Sequence, residues 1–502
     1  MEEAEKQTLD GFLKWAAELG ITDSPHPPSP DSHPPNSCLG YSLAVSHFPQ
    51  SGGRGLGAVR DIRRGELVLK VPKSALLTRE SLLKDKTLAS ALSNCSSLLS
   101  PTQMLAVCLL FEMGKGKSSS WYPYLVHIPR SYDLLATFSE FEKNALQVDD
   151  AIWTTEKATS KAKSEWREVT ALMKDLNLKP QLLTFRAWVW ASATISSRTM
   201  HLPWDGAGCL CPVGDLFNYA APEEESNDLD DVESETHTPL EGISLSNGEG
   251  AHILDGEQMD AHSQRLTDGC FDEAVGAYCF YARRSYKMGE QVLLSYGTYT
   301  NLELLEHYGF VLDGNPNDKV FIPLEPDMYC LDSWPKDSMY IGQDGKPSFA
   351  LLSALRLWAA SPKQRKSLGY LAYSGSKLSV ENEISILKWI SKSCHTILDD
   401  LPTTVEEDAL LLSTIDNIQI DHEALEWKEE LRAFEGELCA FLECNSLREG
   451  KHGAEFLISE KTRRSLERWR LAVQWRFSYK KILVDCISYC NEIINSSSSQ
   501  VF

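Results

Sequence analysis

The sequence predicts an α+β protein in which a β-rich unit is interrupted by a block of helices and followed by an all-helical C-terminal domain. Short β-prone runs occur at 56–62 and 65–72 and return at 209–219 and 276–286. The stretch from about 100 to about 200 instead has apolar residues at helical spacing, and the pattern after about 324 is almost wholly helical. The chain has 502 residues, more than one hydrophobic core usually organises, so we expect two domains or three.

Charge and composition exclude several functional classes. The net charge of −22 argues against a nucleic-acid surface or an anionic membrane as the main partner. No run of about 18 uncharged apolar residues is present, so no transmembrane helix is expected. The N-terminal segment is acidic, unlike transit peptides and secretory signals, and we expect a cytoplasmic or nuclear protein. The 13 cysteines include no Cys-x-x-Cys pair, so neither a disulfide framework nor a metal site is indicated.

The segments outside the two units have compositions of their own. Residues 1–22 predict an amphipathic helix, and the proline-rich stretch at 23–37 predicts a linker that cannot continue it. Domain structure is therefore expected to begin near Cys38. The segment at about 222–262 is acidic, lacks Lys and Arg and is poor in aromatic residues, so we expect a disordered loop there.

Two short motifs fall within the β-rich unit. The glycine-rich stretch SGGRGLGAVRDI (51–62) leads into a strand pattern rather than a helix, which argues against a dinucleotide-binding turn. It predicts either a backbone that a ligand can approach closely or an ordinary tight β-turn. In GDLFNY (214–219), Asp215 and Asn218 follow an apolar run. The Asn218 amide can hold a polar ligand through its donor and its acceptor, or it can form an Asx turn.

A third motif, LSYGTYTNLELLEHYGF (294–310), places two tyrosines at the ends of a capped helix. A Thr-x-x-Glu capping box opens this helix, and Gly309 fits the left-handed residue that ends one. The preceding run EQVLLSY (290–296) predicts a strand that ends on Tyr296, whereas Tyr308 lies at the helix C-terminus. Both ends are expected to meet at one pocket, with core packing of the two rings as the alternative.

In combination, these motifs resemble those of the SET-domain methyltransferases. The glycine-rich turn, the β-prone runs after it, the helical insertion, GDLFNY, GEQVLLSYG and HYGF occur in the order found in that family. The helical tail with LPTTVEEDALLL (401–412) resembles the substrate-binding domain of the Rubisco large-subunit methyltransferase type. The resemblance implies a SET domain at 38–312, with a helical insertion at about 100–205, and a helical substrate-binding domain at 325–495. It also implies a SET fold of small sheets with a pseudoknot-like threading.

The resemblance further implies S-adenosylmethionine as the cofactor. The cofactor-binding positions that it assigns are Gly52, Gly53, Arg54, Arg198, Asp215, Asn218, Tyr219 and Phe310. The glycine-rich turn would line the methionine end, Arg198 would lie beside cofactor and substrate, and Phe310 would pack on the adenine. Main-chain bonds from the 215–219 element would hold that adenine. Two positions depart from the family pattern, because Tyr219 replaces a histidine and Gly52 replaces an acidic residue.

The implied catalytic residues are Tyr296 and Tyr308, around the acceptor nitrogen of a protein-lysine N-methyltransferase that acts on a histone or a non-histone protein. A lysine amine with a pKa of about 10.4 must lose its proton before it attacks, and burial beside a cationic sulfonium favours that loss. The Tyr296 hydroxyl would position this amine.

Two alternatives stay open. The first is histidine as the acceptor. In the actin-histidine methyltransferase branch an asparagine follows the arginine, a tryptophan precedes the aspartate and no tyrosine precedes Gly-Phe. Here those three positions are occupied by Thr199, Gly214 and Tyr308, in that order. Lysine is therefore the expected acceptor. The second is a non-catalytic SET-like interaction module, which the departures at Tyr219 and Gly52 favour. We expect a monomer whose partner is the protein substrate.

Overall fold

The structure is a computed structural model that describes residues 2–25, 36–48, 53–94, 99–222, 268–325, 328, 334–417, 429, 431–446 and 459–499. Most of the predicted linker at 23–37, nearly all of the predicted acidic loop at 222–262 and the predicted cofactor residue Gly52 lie outside the described residues.

The strands are short and pair into small, separate sheets. Their bounds are β1 Leu43–Phe48, β2 Gly53–Ala58, β3 Leu67–Pro72, β4 Thr199–Leu202, β5 Asp205–Leu210, β6 Asn218–Tyr219, β7 Gly269–Asp272, β8 Ala277–Tyr281, β9 Leu293–Leu294, β10 Lys319–Val320 and β11 Ile341–Gly342. Strand β8 lies between β3 and β7 in an antiparallel sheet, while β1–β2, β4–β5 and β10–β11 are antiparallel pairs. Strands β6 and β9 pair in parallel, which joins the GDLFNY motif to the strand ahead of Tyr296.

One predicted strand boundary is wrong. Strand β9 ends at Leu294, and Tyr296 lies in the loop that follows. The backbone N–H of Ser295 donates to Asp268 Oδ2 at 2.9 Å, so a side chain rather than a strand partner takes this donor. Strands β1, β4, β7, β10 and β11 were not predicted, and β4 lies within the stretch predicted as the helical insertion.

The helices make up the larger part of the described chain. Their bounds are α1 Glu2–Glu18, α2 Arg79–Leu82, α3 Lys86–Asn94, α4 Pro101–Lys115, α5 Tyr122–Leu125, α6 Glu140–Asn144, α7 Asp149–Asp175, α8 Phe185–Arg198, α9 Asn301–His307, α10 Phe349–Ala359, α11 Pro362–Tyr373, α12 Val380–Asp399, α13 Val405–Asn417, α14 Glu435–Cys444 and α15 Glu460–Ser499. The predicted helical insertion corresponds to α4–α8, and the predicted helical tail corresponds to α10–α15. No helix among the described residues is both long and apolar enough to cross a membrane.

The N-terminal helix α1 belongs to the same hydrophobic core as the small sheets. The side chains of Phe12 and Ala16 are buried there together with residues of β3 and α4. The amphipathic helix predicted at 1–22 is therefore present as α1, Glu2–Glu18, and its apolar face is covered by the β-rich unit.

A second core joins the helical insertion to the C-terminal helices. Phe141 of α6 packs edge-on against Trp469 of α15 with ring centroids 5.3 Å apart, and Phe441 of α14 stacks on the same indole at 5.2 Å. The buried residues of this core come from 135–151, from α9 and from α13–α15. The insertion is thus a packing partner of the tail.

A buried cluster of charges lies beside this second core. Arg476 and Lys480 of α15 both bind the carboxylate of Asp408 on α13, and all three side chains have no solvent exposure. Arg476 also donates to the carbonyl of Ala145, and Lys480 donates to Gln147 Oε1, so both cations also contact the insertion. Burial lowers the pKa of the Lys480 amine, and Asp408 acts in the opposite direction. Lys480 adjoins Lys481 in the chain, and adjacent lysines on a helix usually face the solvent, but the Lys480 side chain is fully buried.

Candidate active site

The α9 segment is built as its sequence predicts. The Thr300 side chain accepts from the backbone of Glu303 while the Glu303 side chain accepts from that of Thr300, and this capping box opens the helix. Gly309 follows Tyr308, the C-cap residue of the helix, and has a φ of +80°. Tyr308 and Tyr296 meet with ring centroids 5.3 Å apart and planes 31° apart, as predicted.

The Tyr296 hydroxyl has a fixed orientation. It donates a hydrogen bond to the carbonyl of Phe217, in the GDLFNY motif. Burial raises the pKa of this phenol well above its usual value, so the hydroxyl remains protonated at neutral pH. Because its proton is bound to Phe217, the lone pairs of the oxygen remain available as acceptors.

Asp215 occupies a buried polar cluster rather than an isolated turn. Its Oδ2 accepts from Arg198 Nη1 at 3.0 Å and from the Tyr124 hydroxyl at 2.9 Å. Arg198 lies at the C-terminus of α8, and Nη1 also donates to the Asp215 carbonyl at 2.9 Å. Burial would lower the pKa of the Arg198 guanidinium, but Asp215 and the neighbouring phenols outweigh it, so the pKa is raised. Arg198 is therefore a permanent cation.

One polar atom of this cluster, Asp215 Oδ1, is buried without a hydrogen-bond partner among the described residues. Such atoms are rare in folded proteins and are typical of sites that hold a ligand or water. Val213, two residues before Asp215, has a φ of +70° and is fully buried, an uncommon conformation for a β-branched side chain. This strained turn sets the position of the Asp215 side chain in the polar cluster.

A cavity of about 470 Å³ opens beside these groups. Arg198, Asp215, Tyr296 and Tyr308 are among its lining residues, together with Tyr299. The Tyr299 ring packs edge-on against that of Tyr308 with centroids 5.4 Å apart. Asp215 is the only carboxylate among the described residues that line the cavity.

The remaining predicted residues gather on a neighbouring surface that does not line the cavity. The Tyr219 ring contacts both Tyr296 and Phe310, at 5.3 and 5.8 Å, and Phe310 contacts Tyr308 at 6.2 Å. Asn218 Nδ2 donates to the Arg54 carbonyl at 3.4 Å. Tyr296 and Tyr308 thus stand between this surface and the cavity.

Tyr219 is accommodated in its position. Its hydroxyl donates to the carbonyl of Gly297 at 3.0 Å, and burial raises the pKa of this phenol to about 12. The backbone of the glycine-rich strand β2 lies close by. Gly53 has a φ of +76°, and a Cβ on Gly55 would lie 2.6 Å from Gln291 Nε2 and 2.8 Å from Asn218 Nδ2, so a larger residue at Gly55 would clash with two protein side chains.

Sequence reasoning missed several residues of the site. Tyr124 and Tyr132 come from the helical insertion, and Tyr299 lies in the loop ahead of α9. Asp133, next to Tyr132, accepts from Arg464 and Arg468 of α15 at 2.9 and 2.8 Å, so the C-terminal helix reaches the edge of the site. The available signal was local: Tyr122, Tyr124 and Tyr132 lie close together in the sequence of the insertion.

Gly309 gives a first prediction. A Cβ on Gly309 would lie 3.1 to 3.3 Å from the backbone atoms of Asp133, and φ is positive. Gly309→Ala is therefore expected to lower the free energy of unfolding by about 1–2 kcal/mol and to displace Tyr308. Urea denaturation measures the change, and Gly11→Ala in α1, where the added methyl has open space, is the control. Equal stability of both variants would contradict the prediction.

Comparison with known proteins places these features in a family. A family model described as Rubisco LSMT substrate-binding matches residues 332–483. The Protein SET DOMAIN GROUP 40 of Arabidopsis thaliana is 58% identical over 497 residues, which cover 98% of this chain and 97% of that protein. The chain belongs to the SET-domain methyltransferases of the Rubisco large-subunit methyltransferase type. This confirms the predicted family, and with it S-adenosylmethionine as the cofactor.

Solved structures confirm the predicted fold of this SET-domain methyltransferase. A crystal structure of the SET domain of LSMT bound to lysine and AdoHcy matches with a TM-score of 0.56 and 18% identity, over 97% of this chain and 91% of that one. A structure of Rubisco LSMT bound to AdoMet matches with a TM-score of 0.54 and 18% identity, over 98% of this chain and 93% of that one.

More distant relatives have a name that states histidine as the methyl acceptor. The actin-histidine N-methyltransferase of Mus musculus is 25% identical over 438 residues, which cover 81% of this SET-domain chain and 63% of that protein.

The described residues contain no group of three or more His, Cys, Asp or Glu side chains that could hold a metal ion.

Proposed function

We propose that this chain is a protein-lysine N-methyltransferase, which transfers the methyl group of S-adenosylmethionine to the ε-amine of a lysine in a protein. One observation carries the proposal. Tyr296 and Tyr308 form a shared wall between a cavity of about 470 Å³ and the surface made by Tyr219, Phe310 and the Arg54 carbonyl. A methyl donor on that surface and an acceptor in the cavity can therefore meet at the tyrosine pair, each from its own side.

The residues present fit the cofactor. Gly53 leaves the backbone of strand β2 open to close approach, as the methionine end requires, because a Cβ there would meet only the His47 ring at 3.8 Å. Asn218 and Tyr219 present main-chain groups for the adenine, and the Phe310 ring provides an apolar face for it. Bound S-adenosylmethionine supplies an electrophilic methyl on a sulfonium.

The chain's own residues prepare the acceptor. An incoming lysine leaves water for a cavity whose wall is largely aromatic, which favours its neutral form. The oxygen of Tyr296, whose proton is engaged with Phe217, accepts an N–H of the amine and so turns the nitrogen lone pair towards the methyl. The amine loses one proton to solvent on entry and, held by Tyr296, would form the N–C bond as the S–C bond breaks. The electron pair of the broken bond would stay on the sulfur, and the positive charge would pass to the methylated nitrogen.

Asp215 and Tyr308 support lysine over histidine. The cavity offers a single carboxylate, and its Oδ1 has no partner among the described residues, so it can accept an N–H of an arriving ammonium. Tyr308 narrows the cavity beside Tyr296, which suits a slender chain better than an imidazole ring. A Cβ on Gly214 would lie 2.6 Å from Phe280 Cζ, so a tryptophan at that position, as in the histidine branch, has no room here.

The C-terminal helices support a protein as the substrate. The region 332–483, which matches the Rubisco LSMT substrate-binding family model, contains most of α10–α15. Through Arg464 and Arg468 this region contacts Asp133 at the edge of the site. A folded protein held by these helices would have its lysine presented to the cavity.

Product analysis tests the acceptor. We expect that the protein incubated with methyl-labelled S-adenosylmethionine and a cell extract transfers label to protein, and that acid hydrolysis releases the label as methyllysine. Tyr296→Phe protein treated in parallel is the control for other methyltransferases in the preparation. Release of methylhistidine would instead favour histidine as the acceptor, the residue that the name of the actin-histidine N-methyltransferase states.

Cofactor titration tests the non-catalytic alternative. Calorimetry with S-adenosylmethionine is expected to show saturable binding to the purified protein. Absence of heat and of any thermal stabilisation at millimolar cofactor would overturn the enzymatic proposal and leave an interaction module.

A further inference from the structure

A histidine connects the N-terminal helix to the cofactor side of the site. The Arg54 guanidinium donates through Nη2 to the His127 carbonyl at 2.8 Å, and Nη1 lies 3.4 Å from His127 Nδ1. On the other edge of the ring, Nε2 lies 3.2 Å from the carbonyl of Thr8 in α1. The Phe12 ring of the same helix packs on the imidazole with centroids 4.9 Å apart. Helix α1 therefore holds the ring, and the ring contacts Arg54.

These contacts define the tautomer of His127. A backbone carbonyl can only accept, so Nε2 must carry the proton that is shared with Thr8. In the neutral ring Nδ1 is then an unprotonated acceptor, and it faces a donor of Arg54. The Arg54 side chain is thus held by two acceptors of one residue, the ring nitrogen and the carbonyl of His127.

We infer that His127, held in place by helix α1, is a positioning residue that fixes Arg54 and the glycine-rich strand for cofactor binding. The inference rests on the proposed function, in particular on the place of Arg54 at the methionine end of the cofactor. Arg54 also connects to the adenine side, because its carbonyl accepts from Asn218. Displacement of Arg54 would therefore disturb both ends of the cofactor site.

Protonation of His127 would break this arrangement. The charged groups that face the ring are Arg54 of β2 and, at longer range, Asp215 after β5, while α1 presents the Thr8 carbonyl and the Phe12 ring. Burial lowers the pKa of His127 below 6.5, the Thr8 carbonyl acts against it and Arg54 lowers it further. The ring is neutral at pH 7. Below its pKa, Nδ1 gains a proton and a positive charge, and both repel the Arg54 guanidinium.

The expected consequence is a cofactor affinity that falls in acid. Affinity is at its full value above the lowered pKa of His127 and is lost as the pH falls through it. Calorimetric titration with S-adenosylhomocysteine at about pH 7.5 and at an acidic pH where NMR shows the His127 ring protonated is expected to give a Kd about fivefold higher at the lower pH. A binding measurement avoids the separate effect of pH on the acceptor lysine.

Two substitutions distinguish positioning from general stability. His127→Asn keeps an acceptor oxygen where Nδ1 stands and removes the titration, so its Kd is expected to lie within about twofold of wild type at pH 7.5 and to stay flat in acid. His127→Leu keeps apolar bulk but no acceptor, so its Kd is expected to rise about fivefold at both pH values. The control is His395→Gln in α12, an exposed histidine far from the site in sequence.

The outcomes separate the inference from the proposed function. Wild-type protein that binds no S-adenosylhomocysteine at pH 7.5 would overturn the proposed function. Wild-type protein that binds it equally at both pH values, or a Leu variant whose Kd matches that of wild type, would overturn the positioning role alone. Thermal unfolding of each variant shows whether it is folded, and because Asn and Leu both lose the Thr8 bond, only the acceptor distinguishes their Kd values.

Discussion

Tyr296→Phe is expected to lower kcat by about 100-fold while the Kd of S-adenosylmethionine changes by less than about threefold. The ring contacts with Tyr219 and Tyr308 are kept, at 5.3 Å each, so the shape of the wall survives. What is lost is the oxygen that orients the acceptor nitrogen, and with it the bond to the Phe217 carbonyl. Single-turnover methyl transfer measures the chemical step, and calorimetry measures cofactor binding.

Tyr370→Phe provides the matched control for this substitution. Tyr370 lies in α11 with 67% of its surface exposed, and its hydroxyl is not part of the site. We expect wild-type turnover from it. A Tyr296→Phe protein that binds cofactor, unfolds at the wild-type temperature and turns over within about threefold of wild type would remove the catalytic role of the hydroxyl.

Asp408→Ala is expected to lower the free energy of unfolding by about 3–5 kcal/mol. Asp408 accepts from Arg476 Nε at 2.9 Å and from Lys480 Nζ at 2.7 Å, and none of the three side chains is exposed. Without the carboxylate two buried cations face each other, and among the described residues Arg476 keeps its ion pair with Glu437. The urea unfolding midpoint, followed by tryptophan fluorescence, measures the loss.

Two further variants make this result interpretable. Glu406→Ala removes an exposed carboxylate from the same helix and is expected to change the free energy of unfolding by less than about 0.5 kcal/mol. Asp408→Asn keeps the shape and an acceptor, so it is expected to fold even where the alanine variant does not. An Asn variant as stable as wild type would contradict a requirement for the negative charge.

The parts of the site that the sequence predicted are those with local signals. The capping box at Thr300 and the positive φ at Gly309 follow from residue types within one short segment. The meeting of Tyr296 with Tyr308 then follows from the ends of that helix and its preceding strand. Local rules sufficed there because every partner lies within a few residues.

The polar cluster around Asp215 could not be predicted in this way. Asp215 was assigned to the cofactor through its motif, whereas its carboxylate binds Arg198 and the Tyr124 hydroxyl and lines the cavity. Tyr124 lies 91 positions away in the chain, and no periodicity connects the two. His127 escaped notice for the same reason, since its partners are Thr8 and Arg54.

Lys480 shows a different limit. A lysine beside another lysine on a helix is usually solvated, and that expectation rests on composition alone. Here the helix carries Arg476 one turn earlier on the same face, and Asp408 from another helix meets both cations. Burial of a charge is decided by its partner, which the local sequence of α15 does not contain.

The shared core between the insertion and the tail restricts how this chain can be recombined. Residues 135–151 pack with α13–α15, and Asp133 is bound by both Arg464 and Arg468. A chimaera that takes only its C-terminal helices from a relative would lose the ion pairs of Asp133 with Arg464 and Arg468. It would also place Phe141 against a surface with which it does not pack in this chain. Exchange of substrate preference between relatives therefore requires the segment 130–151 to travel with the tail, although some 180 residues separate the two in the chain.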